Sequence, residues 1–214
     1  GSELKALRMH PAWMGEIDPD SLALYIQHCY VPTPYSIYKN IFKLLPGTIV
    51  TLNKDNQKSE RTASPITPEY YWSTKNIAET GSIKSIKESE TEAINLLDKS
   101  LRDSIKKQMI ADVPLGAFLS GGIDSSLIVS LMQKVSNEKA KTFTVGFDFL
   151  EYDESKYAER IANHLGTDHT TYRCSEKDFF DLIPNLTEAF SEPFADSSQL
   201  PTMLVSRMAK QKVK

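Results

Sequence analysis

The sequence predicts an α/β fold in which crossover helices connect the strands of a parallel sheet. From Val113 onward, short apolar or β-branched stretches alternate with amphipathic stretches of helical period. Strand, helix, strand, helix, strand in this order is typical of a parallel sheet. A helix between two strands carries the chain back across the sheet, so that the next strand starts at the same end and runs in the same direction. A chain of 214 residues with 40% hydrophobic side chains is long enough to bury the core that such a sheet needs.

The first part of the chain is predicted to consist of short elements joined by turns. Asp18-Pro19 combines a capping side chain with a proline at the first helical position, and both favour a helix start. Thr48–Leu52 follows the Pro46-Gly47 turn and alternates with β-branched residues, which predicts a strand. The polar stretch 53–88 predicts a surface linker.

The second part of the chain is predicted to begin with a capped amphipathic helix. Ser89 and Glu92 have the spacing of a capping box. Its apolar stripe consists of Ile94, Leu97, Leu101 and Ile105. The later elements are predicted as a strand at 117–119, a helix at 125–135, a strand at 141–147, a helix from Asp153 to Gly166, a strand at 170–172 and helices at about 176–190 and 200–211.

Charge and hydropathy exclude two classes of partner. Lys and Arg number 25 against 28 Asp and Glu, and the net charge of −3 provides no footprint for nucleic acid or an anionic membrane. No apolar run approaches the roughly 18–20 residues of a spanning helix. Residues 1–5 have neither the charged start nor the apolar middle of a signal peptide.

The cysteines and histidines indicate no metal site or disulfide framework. Cys29 and Cys174 are both expected to be buried structural residues, and two cysteines predict a reducing, cytoplasmic location. The histidines show no metal-ligand spacing with one another or with a cysteine. His164 and His169 stand on either side of a predicted helix end, where we expect solvated side chains.

The most informative string is Leu119-Ser120-Gly121-Gly122-Ile123-Asp124-Ser125-Ser126, between a predicted strand and a predicted helix. In open parallel sheets, ligands bind outside the carboxyl ends of the strands. The glycines allow backbone N–H groups to approach an anion, and the helix adds the positive end of its dipole. These features, with three serine hydroxyls, predict a phosphate or pyrophosphate site. Asp124 would repel a phosphate unless a cation lay between them, which predicts Mg²⁺.

Three related motifs are excluded by the residues present. Gly116 and Gly121 have the glycine spacing of a Walker A loop, but the Lys and Ser/Thr that must follow are missing. The dinucleotide motif G-x-G-x-x-G is absent, and a nucleophile elbow would require glycine at Phe118. The remaining alternative is structural, with the two glycines forming only a tight turn before the helix.

The segment 120–125 resembles the pyrophosphate loop, SGGxDS, of the ATP pyrophosphatase superfamily. Its surroundings are similar to glutamine-hydrolysing asparagine synthetase. The stretches that carry this resemblance are 2–7 (SELKAL), 30–34 (YVPTP), 45–47 (LPG), 111–119 (ADVPLGAFL), 142–147 (TFTVGF) and 192–198 (EPFADSS). The resemblance implies an adenine nucleotide alpha hydrolase-like sheet, preceded by the α+β C-terminal end of an N-terminal-nucleophile glutaminase domain.

The same resemblance implies a division of the chain into three parts. Residues 1–60 would be the end of the glutaminase domain, 61–88 a linker, and 89–214 the first part of the ATP-binding domain. The missing initiator methionine and a helix still running near Lys214 predict a piece of a longer protein. The family's N-terminal cysteine would lie before Gly1, and its second acidic motif after Lys214. We therefore expect the 214 residues alone to be inactive.

The resemblance implies an ATP-dependent carbon–nitrogen ligase of asparagine biosynthesis. Such an enzyme adenylates the side-chain carboxylate of aspartate and releases pyrophosphate, and glutamine-derived ammonia then displaces AMP. The implied phosphate-binding residues are Ser120, Gly121, Gly122 and Ser125, with Asp124 as the catalytic residue that holds Mg²⁺. Leu119, Val145 and Gly146 would line the adenine pocket, and Asp196 and Ser197 would lie near the substrate.

Two other functions remain open at this point. A relative could amidate a different carboxylate, such as a sugar uronic acid or a peptide side chain. A module could also bind the nucleotide without catalysing a reaction. Members of the family are often homodimers, so a homodimer is a further expectation.

Overall fold

A computed structural model describes residues 1–52, 67–147 and 153–213, which are arranged in two compact units. The first unit consists of Gly1–Lys87 and Thr187–Asp196. The second consists of Glu88–Leu186 and Ser197–Lys214. The chain therefore leaves the first unit and returns to it later for one short segment. No helix in the described ranges is long and apolar enough to cross a membrane.

The first unit begins with two short helices, α1 (Leu4–Arg8) and α2 (Pro19–His28). Asp18 caps α2 as predicted, because its side chain accepts a hydrogen bond from the Asp20 N–H at 3.1 Å. Cys29 ends α2 in the left-handed conformation, with φ 65°. Its side chain is exposed, so the prediction of a buried Cys29 is wrong: the left-handed turn directs the chain away from the helix.

The second half of this unit contains a small antiparallel pair and a surface helix. The predicted strand at 48–52 is shorter than expected, because only Thr48–Ile49 (β1) pairs with Glu69–Tyr70 (β2). Thr74–Ile83 forms helix α3 within the stretch expected to be a linker, with Ser73 as its cap. All of α3 is exposed, as a surface segment should be. Residues 53–66 of that stretch lie outside the described residues.

The second unit contains the predicted parallel sheet. Its strands are β3 (Gly116–Phe118), β4 (Lys141–Phe147) and β5 (Asp168–Cys174), in the order β3-β4-β5. Both pairings are parallel, with Phe118 opposite Phe143 and Phe143 opposite Thr170. Helix α5 (Ile123–Val135) connects β3 to β4, and α6 (Ser155–Leu165) connects β4 to β5. The predicted fold class is confirmed.

Side chains on both faces of β4 are buried by helices. Phe143 is 1% exposed and packs on one face against α9 (Gln199–Ala209), while Thr144 points to the other face. Helix α4 (Glu90–Gln108) begins with the predicted Ser89 capping box and packs Ile105 against α5. The start of its apolar stripe is exposed, with Ile94 at 57%. Only the later part of that stripe therefore enters this core.

The predicted single helix at 176–190 is broken into three pieces. They are α7 (Glu176–Phe180), a 3-10 helix (Ile183–Asn185) and α8 (Leu186–Ala189). Helix α7 ends at Phe180, four residues before Pro184, which has no N–H to donate to the Phe180 carbonyl as a continuous helix would require. Cys174, just before α7, is buried as predicted. Burial, and to a smaller extent the negative charge of the nearby Asp178, raises the pKa of its thiol to about 11.

Candidate active site

The glycine loop 120–122 lies where β3 ends and α5 begins, as the sequence predicts. Leu119, just before it, is 1% exposed and is fixed to the neighbouring strand. Its N–H donates to the Phe143 carbonyl at 2.9 Å, and its carbonyl accepts a short hydrogen bond from the Thr144 hydroxyl. The loop therefore starts from a rigid strand end, which is the usual ligand-binding edge of a parallel sheet.

Glycine at position 121 is required by the fold itself. Gly121 has φ +85°, a conformation that residues with a side chain rarely adopt. A Cβ there would lie 2.9 Å from the Cβ of Tyr157 and 3.0 Å from the backbone nitrogen of Ala158. Helix α6 therefore packs directly against the loop and leaves no room for a side chain.

Gly122 has no such structural explanation. Its φ of −74° is accessible to any residue, and a Cβ would meet only the Ser120 Oγ, at 3.4 Å. Gly122 is also the N-cap of α5, which begins without a side-chain cap. The absence of a side chain at the N-cap of a helix is an arrangement that suits the close approach of an anion to the backbone.

The serine hydroxyls of the loop form a connected network. The Oγ atoms of Ser120 and Ser125 are 3.0 Å apart, and the Ser120 N–H donates to Ser125 Oγ at 3.3 Å. Ser126 Oγ donates to the Gly122 carbonyl at 2.6 Å, while the Gly122 N–H donates to Ser120 Oγ at 3.3 Å. Because hydroxyl groups rotate, Ser120 and Ser125 could redirect their hydrogens to phosphate oxygens.

Asp124 lies in the first turn of α5 and is exposed. Within residues 1–52, 67–147 and 153–213, no group of three or more His, Cys, Asp or Glu side chains could hold a metal ion. Asp124 is the one carboxylate among residues 119–126, and the other oxygen-bearing side chains there are the hydroxyls of Ser120, Ser125 and Ser126. Such a set fits a Mg²⁺ ion that shares its coordination sphere with substrate phosphates, which is how Mg²⁺ usually binds.

A cavity of about 360 Å³ lies beside the loop, a size suited to a small-molecule ligand. Its lining includes Phe118, Leu119, Ser120, Val145, Glu154 and Thr202. Leu119 and Val145, expected at the adenine, are thus brought together. Gly146 does not line this cavity. A Cβ at this position would be directed toward α6, because it would lie 2.7 Å from the Ser155 Oγ. Only the backbone of Gly146 could face a ligand.

Glu154 and Thr202 are cavity residues that sequence reasoning missed. Glu154 precedes α6, and the motif offers no signal for it beyond its position after β4. Thr202 comes from α9, which packs on β4 from a distant part of the chain. Periodicity predicts that α9 is a helix but cannot predict which strand it covers.

An ion pair joins Asp153, just before α6, to Arg173 near the end of β5. Asp153 accepts hydrogen bonds from the Ser155 N–H at 3.1 Å and from Arg173 Nη1 at 2.5 Å. Burial alone would raise the pKa of the Asp153 carboxyl, but the hydrogen bonds from Ser155 and Arg173 outweigh it and hold the pKa below its usual range. The α6 turn that contacts Gly121 is therefore anchored.

His169 is not the solvated residue that its position suggested. It lies in β5, where Nδ1 is 2.8 Å from the Thr142 hydroxyl and Nε2 is 3.2 Å from the Thr171 hydroxyl. Burial lowers the pKa of its imidazole, against a weaker opposite effect of Glu159. Its hydrogen bond with Thr142 joins β5 to β4, and His169 lies outside the loop and the cavity.

Asp196 and Ser197 are exposed residues in the connection between α8 and α9. Asp196 ends the returning segment of the first unit, and Ser197 begins the part of the second unit that leads into α9. Their assignment to a substrate stays a prediction.

Comparison with known proteins identifies the chain. The family model described as asparagine synthase matches residues 96–214, which is more than half of the chain. The chain belongs to the asparagine synthase family. A second model, described as a glutamine amidotransferase domain, matches residues 1–64. The resemblance stated from the motifs is thereby confirmed.

Individual relatives carry matching names. A putative glutamine-hydrolysing asparagine synthetase 2 of Methanocaldococcus jannaschii is 37% identical over 91% of this chain and 35% of its own length. Asparagine synthetase 1 (glutamine-hydrolysing) of Bacillus subtilis is 30% identical over 92% of this chain and 29% of its own. The chain thus spans about a third of the length of these two relatives. An NH3-dependent NAD synthetase structure from Campylobacter jejuni matches with 15% identity and a TM-score of 0.38, over 55% of this chain and 52% of its own.

Proposed function

We propose that this chain belongs to an asparagine synthetase that uses ATP to activate aspartate and glutamine as its source of ammonia. Residues 1–60 are then the end of the glutaminase domain, 61–88 connect the domains, and 89–214 begin the ATP-binding domain. Because both cysteines are free thiols, we place the enzyme in the reducing cytoplasm. A homodimer is the expected assembly of the full-length protein.

The observation that supports this proposal most directly is the contrast between the two glycines of the loop. Packing and backbone conformation account for Gly121. Neither accounts for Gly122, which caps α5 without a side chain and borders open space. A ligand that must approach the backbone closely explains why this position has no Cβ. A pyrophosphate group at the start of a helix is such a ligand.

The residues of the loop then have distinct roles in adenylation. The N–H groups around Gly122 and the hydroxyls of Ser120 and Ser125 bind the β- and γ-phosphates. Leu119 and Val145, with the backbone of Gly146, line the pocket for the adenine. An aspartate carboxylate oxygen attacks the α-phosphorus, and pyrophosphate leaves with its charge stabilised by these donors. Ammonia then attacks the acyl carbon, and AMP departs.

Asp124 is the proposed magnesium ligand and catalytic residue of this segment. Mg²⁺, when bound there with the phosphates of ATP, would neutralise negative charge on the leaving pyrophosphate. Asp124 would hold that cation at the first turn of α5, so that the cation offsets the repulsion between carboxylate and phosphate. Asp196 and Ser197 are proposed to contact the substrate carboxylate or the adenylate. The 214 residues by themselves offer one carboxylate at the loop, and we expect them to be inactive.

Aspartate-dependent exchange of pyrophosphate into ATP by the full-length protein tests this proposal. Stimulation by aspartate, together with formation of asparagine and AMP when glutamine is added, would support it. Exchange that does not respond to aspartate would point to another carboxylate, such as a uronic acid or a peptide side chain. ATP binding without exchange under any of these conditions would indicate a non-catalytic nucleotide-binding module.

A further inference from the structure

Two acidic residues stand next to each other before α6, and the fold accounts for only one of them. Asp153 accepts a hydrogen bond from the Ser155 N–H and forms an ion pair with Arg173. Glu154, by contrast, lines the cavity beside the glycine loop. No group within residues 1–52, 67–147 and 153–213 donates a hydrogen bond to its carboxylate or forms an ion pair with it. The fold therefore leaves this carboxylate available to a ligand.

The cavity offers a ligand an apolar wall and few polar groups. Most of the described residues that line it are apolar, and the polar ones are Ser120, Thr144, Glu154 and Thr202. The Thr144 hydroxyl already donates to the Leu119 carbonyl, and Ser120 is part of the glycine loop. Glu154 is the charged residue of this described lining. In a mostly apolar site, a few polar groups of this kind fix the orientation of the ligand.

The first turn of α6 fixes Glu154 relative to the glycine loop. The Glu154 carbonyl accepts hydrogen bonds from the Tyr157 N–H at 3.0 Å and the Ala158 N–H at 3.2 Å. Tyr157 and Ala158 are the residues that pack against Gly121. Glu154 therefore precedes this contact by one helical turn, or about 5 Å along the helix axis. A residue so close to the loop, in the same cavity as Leu119 and Val145, suits the part of a nucleotide that joins the base to the phosphates.

The chemistry of a carboxylate narrows the choice of partner on the nucleotide. An ionised carboxylate only accepts hydrogen bonds, so its partner must be a donor. The phosphates of ATP have no donor and repel a carboxylate. The ribose has two adjacent hydroxyl groups that can both donate, and an acidic side chain on a ribose hydroxyl recurs in nucleotide-binding folds.

We propose that Glu154 is a specificity-determining residue that accepts hydrogen bonds from the ribose hydroxyls of ATP. This inference rests on the proposed function, because it takes ATP as the ligand of the cavity. It adds that the site selects ribonucleotides over deoxyribonucleotides, and that a residue outside the glycine loop makes the selection.

Equilibrium binding of ATP, 2′-deoxy-ATP and 3′-deoxy-ATP to the full-length protein, with Mg²⁺ and without aspartate, tests this inference. The wild type should bind ATP at least about tenfold more tightly than one or both deoxy analogues, because the carboxylate loses a donor. In Glu154→Ala the affinity for ATP should fall about tenfold, and the preference over the same analogue should shrink to about twofold or less. Glu154→Gln keeps one acceptor without the charge and should lie between the two.

Glu138→Ala is the matched control. Glu138 is also an exposed glutamate of the second unit, but it does not line the cavity. Its removal changes the net charge by the same amount and should leave all three affinities at the wild-type value. The preference for ATP is a ratio within one variant, so a lower folded fraction of that variant would not change it.

Two results would overturn the inference, and they differ from failure of the proposed function. A wild type that binds the three nucleotides equally would show that the ribose hydroxyls are not read. A Glu154→Ala variant that keeps the wild-type preference for ATP would show that another group reads them, whether or not its affinities fall together. In both cases the wild type would still bind ATP and show aspartate-dependent exchange. A wild type that does neither would refute the proposed function, and this inference with it.

Discussion

Replacing Gly121 by alanine should destabilise the second unit much more than the same change at Gly122, which costs only the difference between glycine and alanine as a helix cap. Alanine at 121 must adopt φ +85°, which costs about 1–2 kcal/mol. Its Cβ would also overlap with the backbone of α6 at Ala158 N, 3.0 Å away, and forced overpacking costs about 1–3 kcal/mol. The entropy that alanine removes from the unfolded chain is common to both variants and cancels. The expected difference in the free energy of unfolding is therefore about 2–5 kcal/mol.

Native-state hydrogen exchange measures this difference in the unit concerned. Peptides covering β4 and α6 should exchange about 30-fold to several thousand-fold faster in Gly121→Ala than in Gly122→Ala, since about 1.4 kcal/mol corresponds to a factor of ten. Gly122→Ala should keep near-wild-type protection and yet bind pyrophosphate more weakly, because its Cβ enters the space beside Ser120. Equal exchange rates in the two variants would refute the assignment of Gly121 to packing and Gly122 to a ligand.

Three further predictions concern single side chains. Asp124→Asn in the full-length protein should lower the rate of ATP–pyrophosphate exchange by about 100-fold with unchanged hydrogen-exchange protection, and a loss below threefold would contradict the magnesium role. Burial lowers the pKa of His169, so the unfolded chain takes up this proton first, and stability should fall as pH decreases through the ordinary histidine value of 6.5. Urea midpoints from pH 8 to 5.5 should show this slope in wild type and in His164→Gln but a smaller one in His169→Gln, and identical slopes would exclude His169 as the source. At pH 8 a thiol reagent should modify the exposed Cys29 quickly in the folded protein. Cys174 should stay unmodified, because its thiol is buried and has a raised pKa. Equal labelling rates at the two cysteines would contradict the burial of Cys174.

Local signals predicted those elements whose ends are defined by their own residues. The Ser89 capping box, the stop at Gly166 and the strand at 141–147 depend on side chains within the element, so the sequence was sufficient. The loop at 120–125 was found for the same reason, since its glycines and serines are contiguous. Helix α3 was missed because its side chains are all exposed and leave no apolar period.

Contacts between distant parts of the chain could not be predicted in this way. The exposure of Cys29 depends on its left-handed backbone conformation, which the sequence does not predict because the residue is not a glycine. His169 was expected in solvent because the strand that buries it begins earlier than its β-branched residues indicate. The partnership of Glu192 with Lys43 joins two charges that, in the sequence alone, are typical of a solvated surface.

The return of the chain to the first unit has a consequence for its folding during synthesis. Ile37 and Glu192 are 155 residues apart in sequence, yet they share a hydrogen bond. At a translation rate of about 5–20 residues per second, about 8–30 seconds pass between the synthesis of Ile37 and that of Glu192. The ribosome thus releases β3, β4 and β5 before residues 187–196 reach the first unit. Because α9 follows that segment and packs on β4, neither unit is complete until part of the other has been made.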